Sequence, residues 1–375
     1  VDNDTATLSV SSPSVAENAG YAQFTVSLSN LSSQSTTVSL ALANGTAGNS
    51  DYGPGLEIST DGGASWTASA TAVIPANQAS ILVRTPINND MLDEVDETFT
   101  LTATRTAGTA VTNPGGAATG TATIIDDDTT PVIDLDANNS SGATGANYQT
   151  TYTENGSGVS VSDSDTSVSD ADGNNMTGAT IRLTNAQAGD LLTVGTLPAG
   201  ITAVVNTSVA GQITVTLSGS ASQASYQNAI HAVSFSNSSD NPSTVGRNVT
   251  VTVTDGTNLS NTAVTTIAVV AVNDPPVAVN DSGTTNEDTA LVIPVSTLMA
   301  NDSDVDGGTL SITAVQGAVH GTVSLIGSNV VFTPSLHYSG PASFTYTLSD
   351  GQGGTATGTV NINVVAVADS PTVTV

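Results

Sequence analysis

No stretch of this chain carries a sustained helical repeat. Short runs in which valine and threonine alternate with other residues recur instead, over 22–28, 37–42, 80–85, 98–103, 212–217, 248–254, 330–333 and 343–348. Alternation sends every second side chain to one face, which is the pattern of a half-buried strand. Clusters of Gly, Asn, Asp, Ser and Pro separate the runs and supply the turns. The best helical window, 223–232, is short. The chain therefore reads as all-β, and the strand spacing suits sandwiches better than propeller blades. At 375 residues it is too long for one sandwich of about 100 residues.

Internal repetition sets the boundaries. Asp255-Gly256 is followed by Val269-Val270-Ala271-Val272, then Asp274 and Pro276; Asp350-Gly351 is followed at identical offsets by Val364-Val365-Ala366-Val367, then Asp369 and Pro371. Each pattern reads as a last strand entering an acidic, proline-marked linker. An earlier linker stands at Asp126-Asp127-Asp128, with Pro131 after it. The expected units are 1–129, 130–274 and 275–368, with 369–375 opening a further linker or repeat. Units two and three also match near their starts. Glu154 precedes Asp170-Ala171-Asp172-Gly173, and Glu287 precedes Asp304-Val305-Asp306-Gly307. Both ends are expected to be cut from a longer array, and the acidic opening at Val1 is not expected to be a secretion signal.

Charge narrows the function. Acidic residues number 33 against 4 basic ones, for a net charge of -29, and every basic residue is arginine. That balance excludes nucleic acid and anionic membrane surfaces as partners. The longest apolar run, 263–272, is about half a bilayer span, so direct membrane insertion is not expected. The absence of cysteine removes disulfides, thiolate metal sites and cysteine catalysis. Carboxylates without lysine call for another counter-charge. A hard cation with oxygen ligands meets that need, calcium before magnesium, because magnesium tolerates crowded carboxylates poorly. The competing view is a solvated acidic surface whose aspartates only shape turns.

Residues 5–128 resemble a Calx-beta domain. The carriers are Val15-Ala16-Glu17-Asn18, Asp51-Tyr52, Ile87-Asn88-Asn89-Asp90, Glu94-Val95-Asp96-Glu97-Thr98-Phe99 and Ile124-Ile125-Asp126-Asp127-Asp128. The resemblance implies a seven-stranded immunoglobulin-like sandwich, with calcium ligands at Glu17, Asp51, Asp90, Glu94, Glu97, Asp126, Asp127 and Asp128. Departures are Asn89, where an acid is common, and an insert over 53–72 with a turn at Asp61-Gly62-Gly63. Residues 275–368 resemble the cadherin-like tandem repeats of giant bacterial adhesins, through Asn286-Glu287-Asp288-Thr289, Ala300 to Gly307, Phe332-Thr333-Pro334 and Phe344-Thr345-Tyr346 leading to Ser349-Asp350-Gly351. Residues 130–274 resemble a longer, diverged cousin. The combination is similar to the repeat region of RTX-type adhesins and implies tandem immunoglobulin-like/cadherin-like β-sandwiches arranged as an elongated rod.

Strand counting then predicts where the carboxylates meet. With the end where the chain arrives called the top of a sandwich, the first strand brings Glu287 to the bottom of unit three, and Glu154 to the bottom of unit two. The loop over 299–308 returns to the top, carrying Asp302, Asp304 and Asp306, with Gly307 permitting a sharp turn. Asp350 belongs to the last hairpin, also at the top, beneath the linker Asn273-Asp274. The first junction is expected to gather Glu17 and Asp126-Asp127-Asp128 with Asp170 and Asp172, and with Asp163, Asp165 and Asp255 as weaker members. Spacing at Asp302-x-Asp304-x-Asp306-Gly307 opens like an EF-hand, but Thr313 stands where the closing Glu would be.

Catalytic patterns are set aside. His231, His320 and His337 are separated, no Gly-x-Ser-x-Gly elbow occurs, and paired carboxylates lie in turns rather than in an aromatic-lined cleft. Tyr21, Tyr52 and Trp66 are expected to pack in the core of unit one. The expectation is a non-enzymatic, calcium-stiffened segment of an extracellular or cell-surface bacterial adhesin serving adhesion or biofilm formation. The alternative is that the segment is itself a calcium-dependent sugar- or peptide-binding module. Expected partners are calcium ions and surface glycans or proteins of host or microbe, with the segment monomeric inside its longer chain.

Overall fold

The computed structural model describes residues 5–368. Strands dominate it, and the hydrophobic residues collect into three cores drawn from successive parts of the chain. The first contains Phe24, Leu40, Val83, Phe99 and Ala122; the second Tyr152, Ile181, Val215, Phe235 and Val251; the third Val330, Phe332, Phe344, Tyr346 and Val360. Each core lies between facing sheets, two five-stranded sheets in unit one, six- and three-stranded sheets in unit two, and four- and three-stranded sheets in unit three. A further two-stranded ribbon belongs to unit two. The fold is thus a series of immunoglobulin-like β-sandwiches.

The same device closes all three. The strand Ser14–Ala16 runs parallel to Ala117–Ile125, Tyr148–Thr153 parallel to Ala263–Val270, and Asp281–Asn286 parallel to Thr355–Val365. First and last strands therefore leave each sandwich side by side, which delivers the acid after the first strand to the outgoing linker. Unit one departs from the seven strands that its resemblance implies. Pro13 cannot donate to a ladder, so the first strand breaks there: Leu8–Val10 pairs antiparallel in one sheet and Ser14–Ala16 joins the other. The insert supplies a hairpin of Glu57–Ser59 with Thr67–Ala68.

The helix in unit two runs over Gln223–His231, and Ser222 caps it by accepting a hydrogen bond from the Ser225 amide; its inner face buries Tyr226, Ala229 and Ile230. Aromatic placement in unit one differs from expectation. Tyr52 is core and stacks on Phe99 at 4.1 Å. Tyr21 and Trp66 instead flank the Arg84 guanidinium at 4.0 and 4.1 Å. Tyr21 stays exposed and Trp66 half-buried, while their ring faces meet a cation that Glu57 also pairs at 2.7 Å.

The accessible surface is 17809 Å². A single compact body of 37.1 kDa would expose roughly 13,600 Å², and three separate bodies of a third of that mass roughly 18,400 Å². The units therefore bury little against one another. Hydrogen bonds cross from unit one to unit two at Met91, Asp93 and Thr129, and from unit two to unit three at Asn241, Asn273 and Asp274.

Candidate metal centres at the unit junctions

The second junction starts from Glu154. Its backbone amide donates to Val270, continuing the parallel ladder for one more residue. Asn155 then takes a left-handed φ of 58°, which turns the chain and leaves Glu154 only 3% exposed. Glu154 Oε2 accepts the Val272 amide at 2.7 Å. Its Oε1 is buried and accepts nothing. Oxygens of Glu154, Asp240 and Asp274 lie within 4.8 Å of one another. Asp240 comes from the loop between Val233–Asn237 and Arg247–Thr254. A buried ion pair of Arg247 with Asp190 at 2.6 Å anchors the base of that loop, and Asn241 ties it to the Val305 carbonyl of unit three at 2.9 Å.

Unit three meets this group from below. Asp306 Oδ2 accepts the Asp274 amide at 2.7 Å. Asp304 Oδ1 accepts the Gly308 amide, while its Oδ2 is buried without a donor, as is Asp274 Oδ2. Asp350 is 1% exposed, and both its oxygens accept N–H groups, from Gln352, Gly353, Gly354 and the Asn273 side chain. The Asn273 bond and those amides hold its carboxyl below the usual range. Asp350 thus positions the linker. Gly354 is required there, since a Cβ would stand 2.2 Å from Asp350 Oδ2. Asp302 is engaged elsewhere: it accepts the Val279 amide and the Tyr346 hydroxyl.

The first junction repeats part of this plan. Asp172 Oδ2 accepts the Thr129 amide at 2.7 Å, as Asp306 accepts Asp274. Asp170 is 8% exposed and its Oδ2 has no donor, like that of Asp304; Asp128 Oδ2 is buried and unpaired as well. Gly173 and Gly307 close the two Asp-x-Asp-Gly turns with φ of 77° and 74°. Burial, then the charges of Asp172 and Asp255, raise the Asp170 carboxyl; burial and Asp172 likewise raise Asp128.

On the unit-one side the carboxylates form two groups. Glu17, Asp90 and Asp128 are one, and Asp51, Glu94 and Glu97 the other, each within 4.8 Å. Glu17 is buried and accepts the Asp90 amide at 2.8 Å; burial and the charges of Asp90, Asp128 and Asp126 raise it. Glu97 is pushed up to about 7 by burial, by its hydrogen bond with Asp51 and by neighbouring charge. Burial also raises Glu94, with Asp51, Asp90 and Asp126 adding to it. Asp126 accepts the amides of Glu94 and Asp128, and Asp127 binds Asn18.

Two of the weaker candidates stand elsewhere than expected. Asp163 and Asp165 gather with Asp136, inside unit two. Glu287 Oε1 accepts the Val367 amide at 2.6 Å, repeating the Glu154 bond at the far end of unit three. Asp369 lies outside the described residues. Asp136, Asp240 and Asp281 were not singled out by sequence reasoning, because none belongs to a repeated motif; Asp240 and Asp136 meet their partner acids only through distant chain.

A family model for a bacterial immunoglobulin (Ig) domain matches residues 273–363. Comparison with curated protein sequences returned no match. Among solved structures, the calcium-binding domain CBD12 of CALX1.1 is similar at 14% identity, over 65% of this chain and 79% of that one, with a TM-score of 0.28. The human desmocollin-1 ectodomain is similar at 11% identity, over 98% and 62%, with a TM-score of 0.28. Repeats EC21-23 of human CDH23 are similar at 11% identity, over 96% and 100%, with a TM-score of 0.31.

Proposed function

We propose that this chain is a calcium-binding, calcium-stiffened segment of a large secreted or cell-surface bacterial adhesin, of the RTX type, and that it acts mechanically rather than as an enzyme. One observation carries the reading. Among the described residues, and apart from Thr36 Oγ1, the buried side-chain oxygens without a donor belong to Asp128, Glu154, Asp165, Asp170, Asn273, Asp274, Asp281 and Asp304, and most of these stand at the two junctions. An unpaired buried carboxylate oxygen is costly unless a cation meets it. Mutual spacing within 4.8 Å matches oxygens that share calcium at about 2.3–2.6 Å each.

At the second junction Glu154, Asp240 and Asp274 would hold the ion, with Asp304 and Asp306 below them. The ion would supply the positive charge that joins the foot of unit two, the linker and the head of unit three. Crosslinking three chain segments restricts bending, so the segment would project a ligand-binding part away from the cell. Solution scattering with calcium and with excess chelator tests this. The expected result is a rod on the order of 100 Å, at about 30 Å per sandwich, that becomes flexible on chelation. An identical scattering profile in both conditions would overturn the reading.

A further inference from the structure

The loop over 89–96 in unit one contains no helix or strand. Apolar packing does not hold it, since Met91, Leu92 and Val95 are exposed. It nevertheless carries Asp90 and Glu94, one from each carboxylate group at the foot of the unit. Its backbone is fastened to unit one at two points. The Asp90 amide donates to Glu17 at 2.8 Å, and the Glu94 amide to Asp126 at 3.2 Å. Both acceptors are themselves candidate calcium ligands. Between those points one side chain of unit two holds the loop. Asn258 Nδ2 donates to the Met91 carbonyl at 2.9 Å, and Asn258 Oδ1 accepts the Asp93 amide at 3.4 Å.

The turn behind Asn258 fixes its backbone on both sides. Asp255 Oδ1 accepts the amides of Thr257 and Asn258, each at 2.7 Å, and Thr254 Oγ1 donates to the Asn258 carbonyl at 2.7 Å. Gly256 supplies the φ of 117° that the turn needs. The Asn258 side chain is left for unit one. Asp255-Gly256 and Asp350-Gly351 are repeat-related turns, yet they reach the preceding chain differently. Asp350 bonds the Asn273 side chain of the linker directly, whereas Asp255 is used inside its turn and Asn258 makes the crossing. Meeting one C=O and one N–H takes a donor and an acceptor on the same carbon, which among neutral side chains Asn and Gln carry. Being neutral, the amide does not compete with the carboxylates for a cation. We propose that Asn258 is a positioning residue that couples unit two to the calcium groups of unit one: by holding the backbone at Met91 and Asp93, it orders the loop bearing Asp90 and Glu94 before an ion arrives. A larger competent fraction raises the apparent affinity. By reciprocity, bound calcium then holds unit two more firmly against that loop. Coupling to calcium rests on the junction reading above, whereas the docking itself stands without it.

The test uses the whole 375-residue chain with calcium as the only ligand. Asn258→Leu keeps the branched shape and removes both polar groups. In chelator it should speed amide exchange at Asp93 at least about fivefold. In a calcium titration followed by exchange over 89–96, its midpoint should rise about fivefold or more. Native mass spectrometry should count as many ions as in the parent, because Asn258 is not a ligand. Asn258→Gln, which keeps a donor and an acceptor, should recover most of both effects, and Asn241→Ala at the second junction should cause neither. Parent-like exchange and midpoint in Asn258→Leu would overturn the proposal, as would an Asn258→Gln variant no better than Asn258→Leu. An ion lost from Asn258→Leu would make Asn258 a ligand and overturn the positioning role. A parent chain that binds no calcium would instead overturn the junction reading and the coupling with it, while Asp93 exchange in chelator decides the docking. A measurement on the unaltered chain covers a variant that does not fold. Without calcium, and after correction for intrinsic rates, the Asp93 amide should exchange at least about fivefold more slowly than the Val95 amide of the same loop; equal rates would overturn the docking.

Discussion

The two junctions share an Asp-x-Asp-Gly turn but hold their upper carboxylates differently. At the second, Glu154 is buried, carries one oxygen already bonded to the linker at Val272, and offers the other without a partner. Its companions Asp240 and Asp274 come from a separate loop and from the linker. At the first, six carboxylates crowd into two groups at the foot of unit one, and all except Glu17 are partly or fully exposed. Glu17 bonds Asp90 of its own unit rather than the linker. The second junction is therefore organised as a clamp between units. The first is organised as a charge cluster within one unit, connected onward through Asp128 and the Thr129–Asp172 bond. Burial first, and the charge of neighbouring carboxylates after it, raise the carboxyls of Glu17, Glu94, Glu97 and Asp128.

The largest expected effect comes from removing calcium altogether. One site with ion at 100 times its Kd contributes about 2.7 kcal/mol. For a sandwich of this size that corresponds to a melting shift on the order of 10 °C. Calorimetry in calcium and in chelator should show unit one losing most, because its cluster loses its only counter-charge. A melt that does not move after confirmed metal removal would end the comparison, since neither junction would then depend on ions.

Single substitutions come next. Glu154→Gln removes one charge from a group of three and should weaken calcium binding at the second junction at least about tenfold, about 1.4 kcal/mol. Glu17→Gln should cost less, because neighbouring carboxylates remain to hold the ion. Combining Glu154→Gln with Asp274→Asn should be non-additive, as expected of groups that share one partner. Equal effects at Glu17 and Glu154, with strict additivity, would mean that the two junctions do not differ in kind.

Much of this was legible before any coordinates. Valine–threonine alternation marked the strands, since a period of two is a property of local sequence. The shared offsets after Asp255 and Asp350 correspond in the structure to one repeated bond, Glu154 to Val272 and Glu287 to Val367. Asp240 could not be found that way. It sits in an Asn-Ser-Ser-Asp-Asn-Pro loop, which reads as an ordinary turn, and its position depends on a buried Arg247–Asp190 pair formed across 57 residues. Asp163 and Asp165 were displaced from the first junction for the same reason, because the Asp136 loop that receives them is placed by tertiary pairing of Val132–Asp134 with Ser167–Ser169. Tyr21 is out of phase with Ala22, Phe24, Val26 and Leu28, so alternation itself places it on the outer face, whereas Trp66 stands just before the two-residue strand Thr67–Ala68, where no such alternation runs.

A pH series sharpens the contrast further. Glu97 is raised to about 7, above its ordinary value near 4.3, so between those values the folded, ion-free state holds more protons than the unfolded one. Its contribution to stability is then present at low pH and lost as pH rises through about 7. In chelator, unit one should melt higher at pH 6 than at pH 8. Calcium binding needs the deprotonated form, so calcium affinity at the first junction should fall over the same interval as pH is lowered. The second junction should respond less. Parallel pH profiles at both would show that proton sharing does not distinguish them.

The smallest effect is expected at Asp61, which separates built sites from general acidity. Asp61 lies in the hairpin turn of unit one and accepts hydrogen bonds from the Ser59 hydroxyl and the Ser65 amide. The hydroxyl bonds of Ser65 and Ser59, with the Ser65 amide, hold its carboxyl far below the usual range. It therefore stays ionised wherever the junction carboxylates do, and it contributes the same formal charge to the net -29. If calcium were attracted only by a diffuse negative surface, Asp61→Asn and Glu154→Gln would lower calcium binding alike. In the arrangement described, Asp61 already has its donors and no second carboxylate beside it, so a cation gains little there. Asp61→Asn should leave the number of bound calcium ions unchanged by native mass spectrometry. It should slightly loosen the 59–65 turn, seen as faster amide exchange at Ser65. A lost ion at Asp61 would place the acidic surface, rather than the junctions, at the origin of calcium dependence.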